Sequence, residues 1–148
     1  MVTAVSWLMI DGTLDVEWFG EGSIPDGQAC PPAVQQPVVP ERVEISVFNA
    51  TNEPGLAGEA AQELDERGFR VGQVDNDYYA NTEFEGIIRV GEKGLRQAYT
   101  LQQHLPETLV DVDGREDFTL DLVLGAEFDW LEAEEDVVVE PGRLTCAS

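Results

Sequence analysis

The stretch RVEISVFNATNEPGLAGEAAQELDERGFRV, residues 42–71, decides the fold. Val43, Ile45 and Val47 alternate with Glu44 and Ser46, the period of a strand with one buried face. Asn49-Ala50-Thr51-Asn52 and Pro54-Gly55 then supply turn chemistry that stops the strand. Leu56, Ala57, Ala60, Ala61 and Leu64 recur at helical spacing, with Glu59, Glu63, Asp65, Glu66 and Arg67 on the opposite side. Gly68 can adopt the left-handed conformation that ends a helix, and Phe69 can pack back on its last turn. The stretch reads as a strand, a turn and a helix.

Working outward, Val71 and Val74 begin a short second strand that ends in Asp75-Asn76-Asp77. Tyr78 to Glu85 is polar and turn-rich. Ile87, Ile88 and Val90, bracketed by Gly86 and Gly91, give a third strand. The spacing of Leu95, Ala98, Leu101 and Leu105 predicts a second helix from about Lys93 to Leu105, where Pro106 forbids continuation. Leu109, Val110 and Val112 suggest a fourth strand, Asp113-Gly114 a turn, and Leu120, Leu122 and Leu124 a fifth. The order β-α-β-β-α-β-β implies a two-layer α/β domain, its helices packed on one face of a mixed sheet. No internal repeat is visible.

The flanks differ in character. Residues 11–40 hold no period and are rich in Pro and Gly, as a linker is. Residues 2–10 are apolar but far short of the roughly 20 that span a bilayer. They lack the basic flank and cleavage site of a secretory signal. They read either as a short core or interfacial segment or as the outer end of a membrane helix. From Trp130 the acids return, and residues 130–148 read as a loosely attached acidic tail.

The chain has 148 residues, enough for one domain with tails, and a formal charge of −22. Residues 41–106 carry 12 acids against 6 bases, and residues 107–148 carry 13 against 2. A polyanion of this kind repels nucleic acid and anionic lipid, which drop out as partners of the globular part. Cys30 and Cys146 lie near opposite ends and outside any metal-ligand spacing. They fit a disulfide in an oxidising compartment, or two unrelated thiols.

The residues also resemble a known family. Val43 to Thr51, then Gly55-Leu56-Ala57 opening a helix, then Gly68-Phe69 and a short strand, are similar to the LytR C-terminal domain, LytR_C. Leu124-Gly125-Ala126-Glu127-Phe128-Asp129 is similar to that family's closing strand. The resemblance covers about residues 41–129. It implies an extracytoplasmic module of bacterial, commonly actinobacterial, envelope proteins, with no cofactor. The phosphotransferase domain that precedes it in many members is not expected within 148 residues. Residues 1–10 would then be a remnant of an N-terminal membrane anchor. The partner would be an envelope polymer or an envelope protein, with membrane contact only through that anchor. In such a compartment Cys30 and Cys146 would be joined.

Candidate binding residues are few. Asn49 and Thr51 stand where a strand hands over to a helix, a place where backbone N–H groups can hold an anion. Their side chains can equally bond the turn's own backbone. Asn49-Ala50-Thr51 is also formally a glycosylation triplet, though a packed turn in a bacterial-type module disfavours modification. Arg70 and Arg89, near strand ends, are the positive points best placed for a ligand carboxylate, against ion pairing with neighbouring acids. Asp111 to Asp117 resembles half a calcium loop, but its Gly stands fourth and Arg115 interrupts, so a turn with exposed acids is the reading and no metal is expected. His104, in the last turn of the second helix, can meet terminal carbonyls. No Ser or Cys nucleophile is tied to it by a motif, so no catalytic residues are assigned and the chain is expected not to be an enzyme. The function implied is a binding or scaffold module in cell-envelope integrity. The alternatives are a regulatory partner of a glycopolymer-attaching enzyme and, less favoured, a wall-polymer enzyme.

Overall fold

The structure, a computed structural model, describes residues 33–79 and 81–146. Cys30 and the apolar residues 2–10 lie outside the described residues. Five strands and two helices follow the expected order: β1 Glu44–Asn49, α1 Leu56–Glu66, β2 Arg70–Asn76, β3 Gly86–Val90, α2 Leu95–Gln102, β4 Leu109–Val112 and β5 Leu120–Leu124. The strands form one mixed sheet in the order β2-β1-β5-β3-β4. β1 lies parallel to both β2 and β5, while β3 is parallel to β4 and antiparallel to β5. Each helix therefore links two adjacent parallel strands, and β5 is the seam between two βαβ units.

The alternation read in β1 holds. Ile45 and Val47 are fully buried while Glu44 is exposed and Ser46 and Phe48 are half-buried. Leu120, Leu122 and Leu124 of β5 and Ile88 and Val90 of β3 join them beneath Ala60, Ala61, Leu64, Ala98 and Leu101 of the helices. Burying the valines, leucines and isoleucines among them contributes roughly 1.5–3 kcal/mol each, which is why the apolar stripe and not helix propensity fixes the two-layer form. Gly68 ends α1 at φ 100°, the left-handed region, and the Phe69 N–H closes back on the Leu64 carbonyl at 3.1 Å. Phe69 itself is buried in the core.

The second helix is shorter than its spacing predicts. α2 stops at Gln102, and His104 and Leu105 close i→i−3 bonds to Leu101 and Gln102, tightening the chain ahead of Pro106. Leu105 still reaches the core from that turn.

Both flanks also depart from expectation. Residues 35–40 of the expected linker dock on α2. The Val38 N–H donates to Thr100 Oγ1 at 2.9 Å, and Arg96 Nε donates to the Gln36 carbonyl at 2.9 Å. The tail is not loosely attached. Leu131 and Leu144 are buried, Gln35 and Gly142 exchange backbone hydrogen bonds, and the Tyr99 hydroxyl donates to the Glu140 carbonyl. Gln102 Nε2 reaches the Thr108 and Thr145 carbonyls at 2.8 and 2.9 Å, and its Oε1 accepts from the Thr145 N–H. Polar side chains on the outer side of α2 are buried because the two flanks satisfy them. The Val110 N–H bonds the Thr145 carbonyl, so the tail also covers the outer edge of β4.

Candidate binding surface

The sheet face away from the helices is where the polar chemistry gathers. Period 2 puts Phe48 of β1, Arg89 of β3, Asp111 of β4 and Asp121 of β5 on that face, and the pairing of Arg89 with Asp111 and Asp121 sets them side by side. Arg89 Nη2 lies 3.2 Å from Asp77 and 3.3 Å from Asp121, and its Nη1 donates to the Tyr79 hydroxyl at 3.0 Å. Its guanidinium carbon stands 5.7 Å from the centroid of the Phe48 ring. Arg89 Nε is buried with no hydrogen-bond partner among the described residues. Arg115 shares Asp121 at 2.8 Å and takes Asp113 at 2.9 Å. Hydrogen bonds to these aspartates, Asp121 first, hold Arg115 protonated beyond the ordinary arginine range. Burial raises the Tyr79 hydroxyl above its ordinary range, and the Arg89 charge opposes that shift.

Tyr79 also lines a cleft of about 330 Å³ with Ala50, Thr51, Asn52, Tyr78, Thr82 and Ala126. The cleft sits beyond the carboxyl ends of β1 and β5, where open α/β sheets commonly take ligands. Tyr78 is 85% exposed there. The turn beside it is built internally. Asn49 Oδ1 accepts from the Thr51 N–H and hydroxyl at 2.8 and 2.6 Å, Asn49 Nδ2 donates to the Glu53 carbonyl at 2.7 Å, and Thr51 Oγ1 accepts from the Glu53 N–H. Both side chains are thus committed to the turn's own backbone.

Of the four residues singled out from sequence, Asn49 and Thr51 meet, Arg89 approaches them through Tyr79, and Arg70 stands apart on the exposed edge strand β2. Asp77, Asp121, Tyr79 and Phe48 were missed as a group. The alternation of β1 already placed Phe48 opposite Val47, but the pairing of β3 with β5 was needed to bring Asp121 to Arg89. Asp113 is held by Arg115, and Asp117 accepts from Thr119, whose hydrogen bonds keep its carboxyl below the usual range. No group of three or more metal-ligating side chains occurs among the described residues.

His104 is also elsewhere than expected. Its ring, 7% exposed, turns to the end of α1, with Arg67 Nη1 3.0 Å from Nδ1 and the Phe69 ring edge-on at 4.9 Å. It does not cap α2; Leu101 and Tyr99 carbonyls take backbone N–H groups instead.

Five strands, two helices on one face and a polar opposite face define a small two-layer α/β module. The model of the LytR_C family, described as the LytR cell envelope-related transcriptional attenuator, matches residues 42–128, and this chain belongs to that family. It is 34% identical over 97 residues to the cell envelope integrity protein Cei of Mycobacterium tuberculosis; the match takes in 64% of this chain and 45% of that relative. The chain therefore spans somewhat under half of that relative's length. The soluble domain of a conserved hypothetical secreted protein from Mycobacterium marinum is similar at a TM-score of 0.64 and 33% identity, over 70% of this chain and 72% of that one. The domain is cell-envelope-related and lies outside the cytoplasm. Among the described residues no helix is long and apolar enough to cross a membrane.

Proposed function

We propose that this chain is a non-catalytic binding or scaffold module contributing to bacterial cell-wall integrity, and that it engages an envelope protein rather than an acidic wall polymer. One observation carries the choice of partner. Arg89 and Arg115, the cations at the middle of the open sheet face, are neutralised by Asp77, Asp113 and Asp121, which leaves only Arg70, out on the β2 edge, unpaired on that face among the described residues. An anionic polymer arriving at this face would have to displace those aspartates against a net charge of −22. A regulatory partner of a glycopolymer-attaching enzyme is a specific form of the same reading. The non-catalytic part is supported by His104, the chain's one histidine, which burial and, after it, Arg67 hold neutral inside the domain. Membrane contact is assigned to an N-terminal anchor and not to the domain.

Co-sedimentation with purified peptidoglycan and with an anionic wall polymer, at physiological ionic strength, tests this beside photo-crosslinking in cells from position 78. We expect no co-sedimentation, and a defined protein adduct from position 78 that position 135 does not give. Stoichiometric co-sedimentation with polymer, or polymer turnover dependent on the chain, would overturn the reading.

A further inference from the structure

The two edges of the sheet are treated differently. The outer edge of β4 is covered by Thr145 and Cys146, whereas among the described residues no strand pairs with the outer edge of β2. An open edge is a template for another strand. β2 is RVGQVDN, and the register against β1 shows that it carries one extra residue. Ile45 and Val47 of β1, two apart, face Val71 and Val74 of β2, three apart. The extra residue lies at Gly72-Gln73.

The bulge has two consequences for the free edge. It returns Val71 and Val74 to the same face of the sheet, the helix side, because both oppose buried residues of β1. Arg70 and Asp75, opposite Glu44 and Phe48, share the other face. It also sets which backbone groups point outward. The Arg70 N–H turns inward to the Val43 carbonyl and the Gln73 N–H inward to Ser46 Oγ, so by alternation Val71 and Val74 present theirs to the free edge.

These features make the strand complementary to itself. Run antiparallel against a copy, with Val71 opposite Val74, it lets the two valines exchange both hydrogen bonds, as a closely hydrogen-bonded antiparallel pair requires. The same register puts Arg70 opposite Asp75 on the other face, and it meets bulge with bulge. Opposite charges and apolar side chains directly across an antiparallel pair are the favourable arrangement. Val74 is 44% exposed, and among the described residues Arg70 has neither an ion pair nor a core position to lose.

We propose that β2 pairs antiparallel with β2 of a second copy of this chain, Arg70 facing the other copy's Asp75 and Val71 its Val74. Two five-stranded sheets then become one continuous sheet about a two-fold axis. The interface is one short strand wide and each copy carries −22, so the association is weak and reversible and strengthens as salt screens the long-range repulsion.

Sedimentation velocity of the full chain across a concentration series tests it, with Arg70→Asp and Asp75→Arg alone and mixed. Each single variant sets like charges opposite one another in both pairs, so each is expected to dimerise about tenfold more weakly than wild type. In the equimolar mixture the acid introduced at position 70 of one variant faces the base introduced at position 75 of the other. The native Asp75 of the first then faces the native Arg70 of the second, and wild-type association is expected to return as a heterodimer. Thermal melts confirm that each variant is folded, and Arg70→Asp with Asp75→Arg in one chain replaces a single variant that is not. A wild type monomeric at every concentration, variants that dimerise unchanged, a mixture that does not recover, or a dimer abolished by reductant would each overturn the proposal.

Discussion

Arg67 Nη1 lies 3.0 Å from His104 Nδ1, across the junction between the end of α1 and the turn after α2. A guanidinium has only donors, so Nδ1 must accept and the imidazole proton sits on Nε2. The ring is therefore held neutral. Burial and, after it, the Arg67 charge lower its pKa from the ordinary 6.5 to about 4. Arg67 is in turn held by Glu63 at 3.0 Å. The arrangement ties the two helix ends together and carries a dependence on pH.

Between pH 6.5 and about 4 the unfolded chain binds a proton at His104 that the folded chain refuses. Its contribution to stability is complete above 6.5 and is lost as pH falls to about 4, by on the order of 3 kcal/mol. His104→Gln keeps an acceptor for Arg67 and removes the titration. Melting at pH 7 and pH 4 should show a smaller acid loss in the variant than in wild type, while the carboxylates titrate alike in both. Equal losses would mean that His104 is protonated in the folded state.

Gln102 makes three hydrogen bonds, one to the Thr108 carbonyl and two that clamp Thr145 of the tail. Gln102→Leu should cost about 1–3 kcal/mol, since the buried Thr108 carbonyl loses its partner. Hydrogen exchange of the Val110 N–H, which bonds the Thr145 carbonyl, should quicken more than that of Ile45. Unchanged protection at Val110 would show that the tail is held without Gln102.

Gly68 and Gly55 both have positive φ, 100° and 83°. A Cβ at Gly68 would also come within 2.7 Å of Glu41 Oε2, while one at Gly55 meets nothing within 4 Å. Gly68→Ala should cost about 1–2 kcal/mol and Gly55→Ala about 1 kcal/mol or less. The reverse order in chemical denaturation would contradict the strain assigned to the end of α1.

Ala61 is 6% exposed beneath α1, and Glu66 on the same helix is exposed. Ala61→Glu buries an unpaired charge and should cost several kcal/mol, on the order of half a small domain's stability. Glu66→Lys should cost under about 0.5 kcal/mol. Glu63 is not a fair surface control, because it holds Arg67. Alike melting temperatures would put the helix in the wrong phase.

Cys146 sits half-buried beside Val110 at the β4 edge, and we expect it to be joined to Cys30. Loop entropy sets an upper stabilisation of roughly 4–5 kcal/mol for so long a closure. Intact mass before and after alkylation without reductant decides it; two alkylated thiols would sink the bridge.

By itself the sequence determined the order of strands and helices, their buried stripes and the left-handed end of α1, because each depends on residues within a few positions of one another. Period 2 in Val43, Ile45 and Val47 and helical spacing in Leu56 to Leu64 are local facts, and the Asn49-Ala50-Thr51 turn is built from its own neighbours. The tertiary structure alone decided what lies beside what. Arg89 gains Asp121 only because β5 inserts between β1 and β3, a pairing between strands some thirty residues apart that no local period encodes. The buried side of Tyr99, Thr100 and Gln102 reads as solvent-facing in sequence, since polar groups go inside only where distant chain ends satisfy their hydrogen bonds. The tail's acids conceal Leu131 and Leu144 for the same reason: two apolar anchors fix a segment whose composition otherwise favours water.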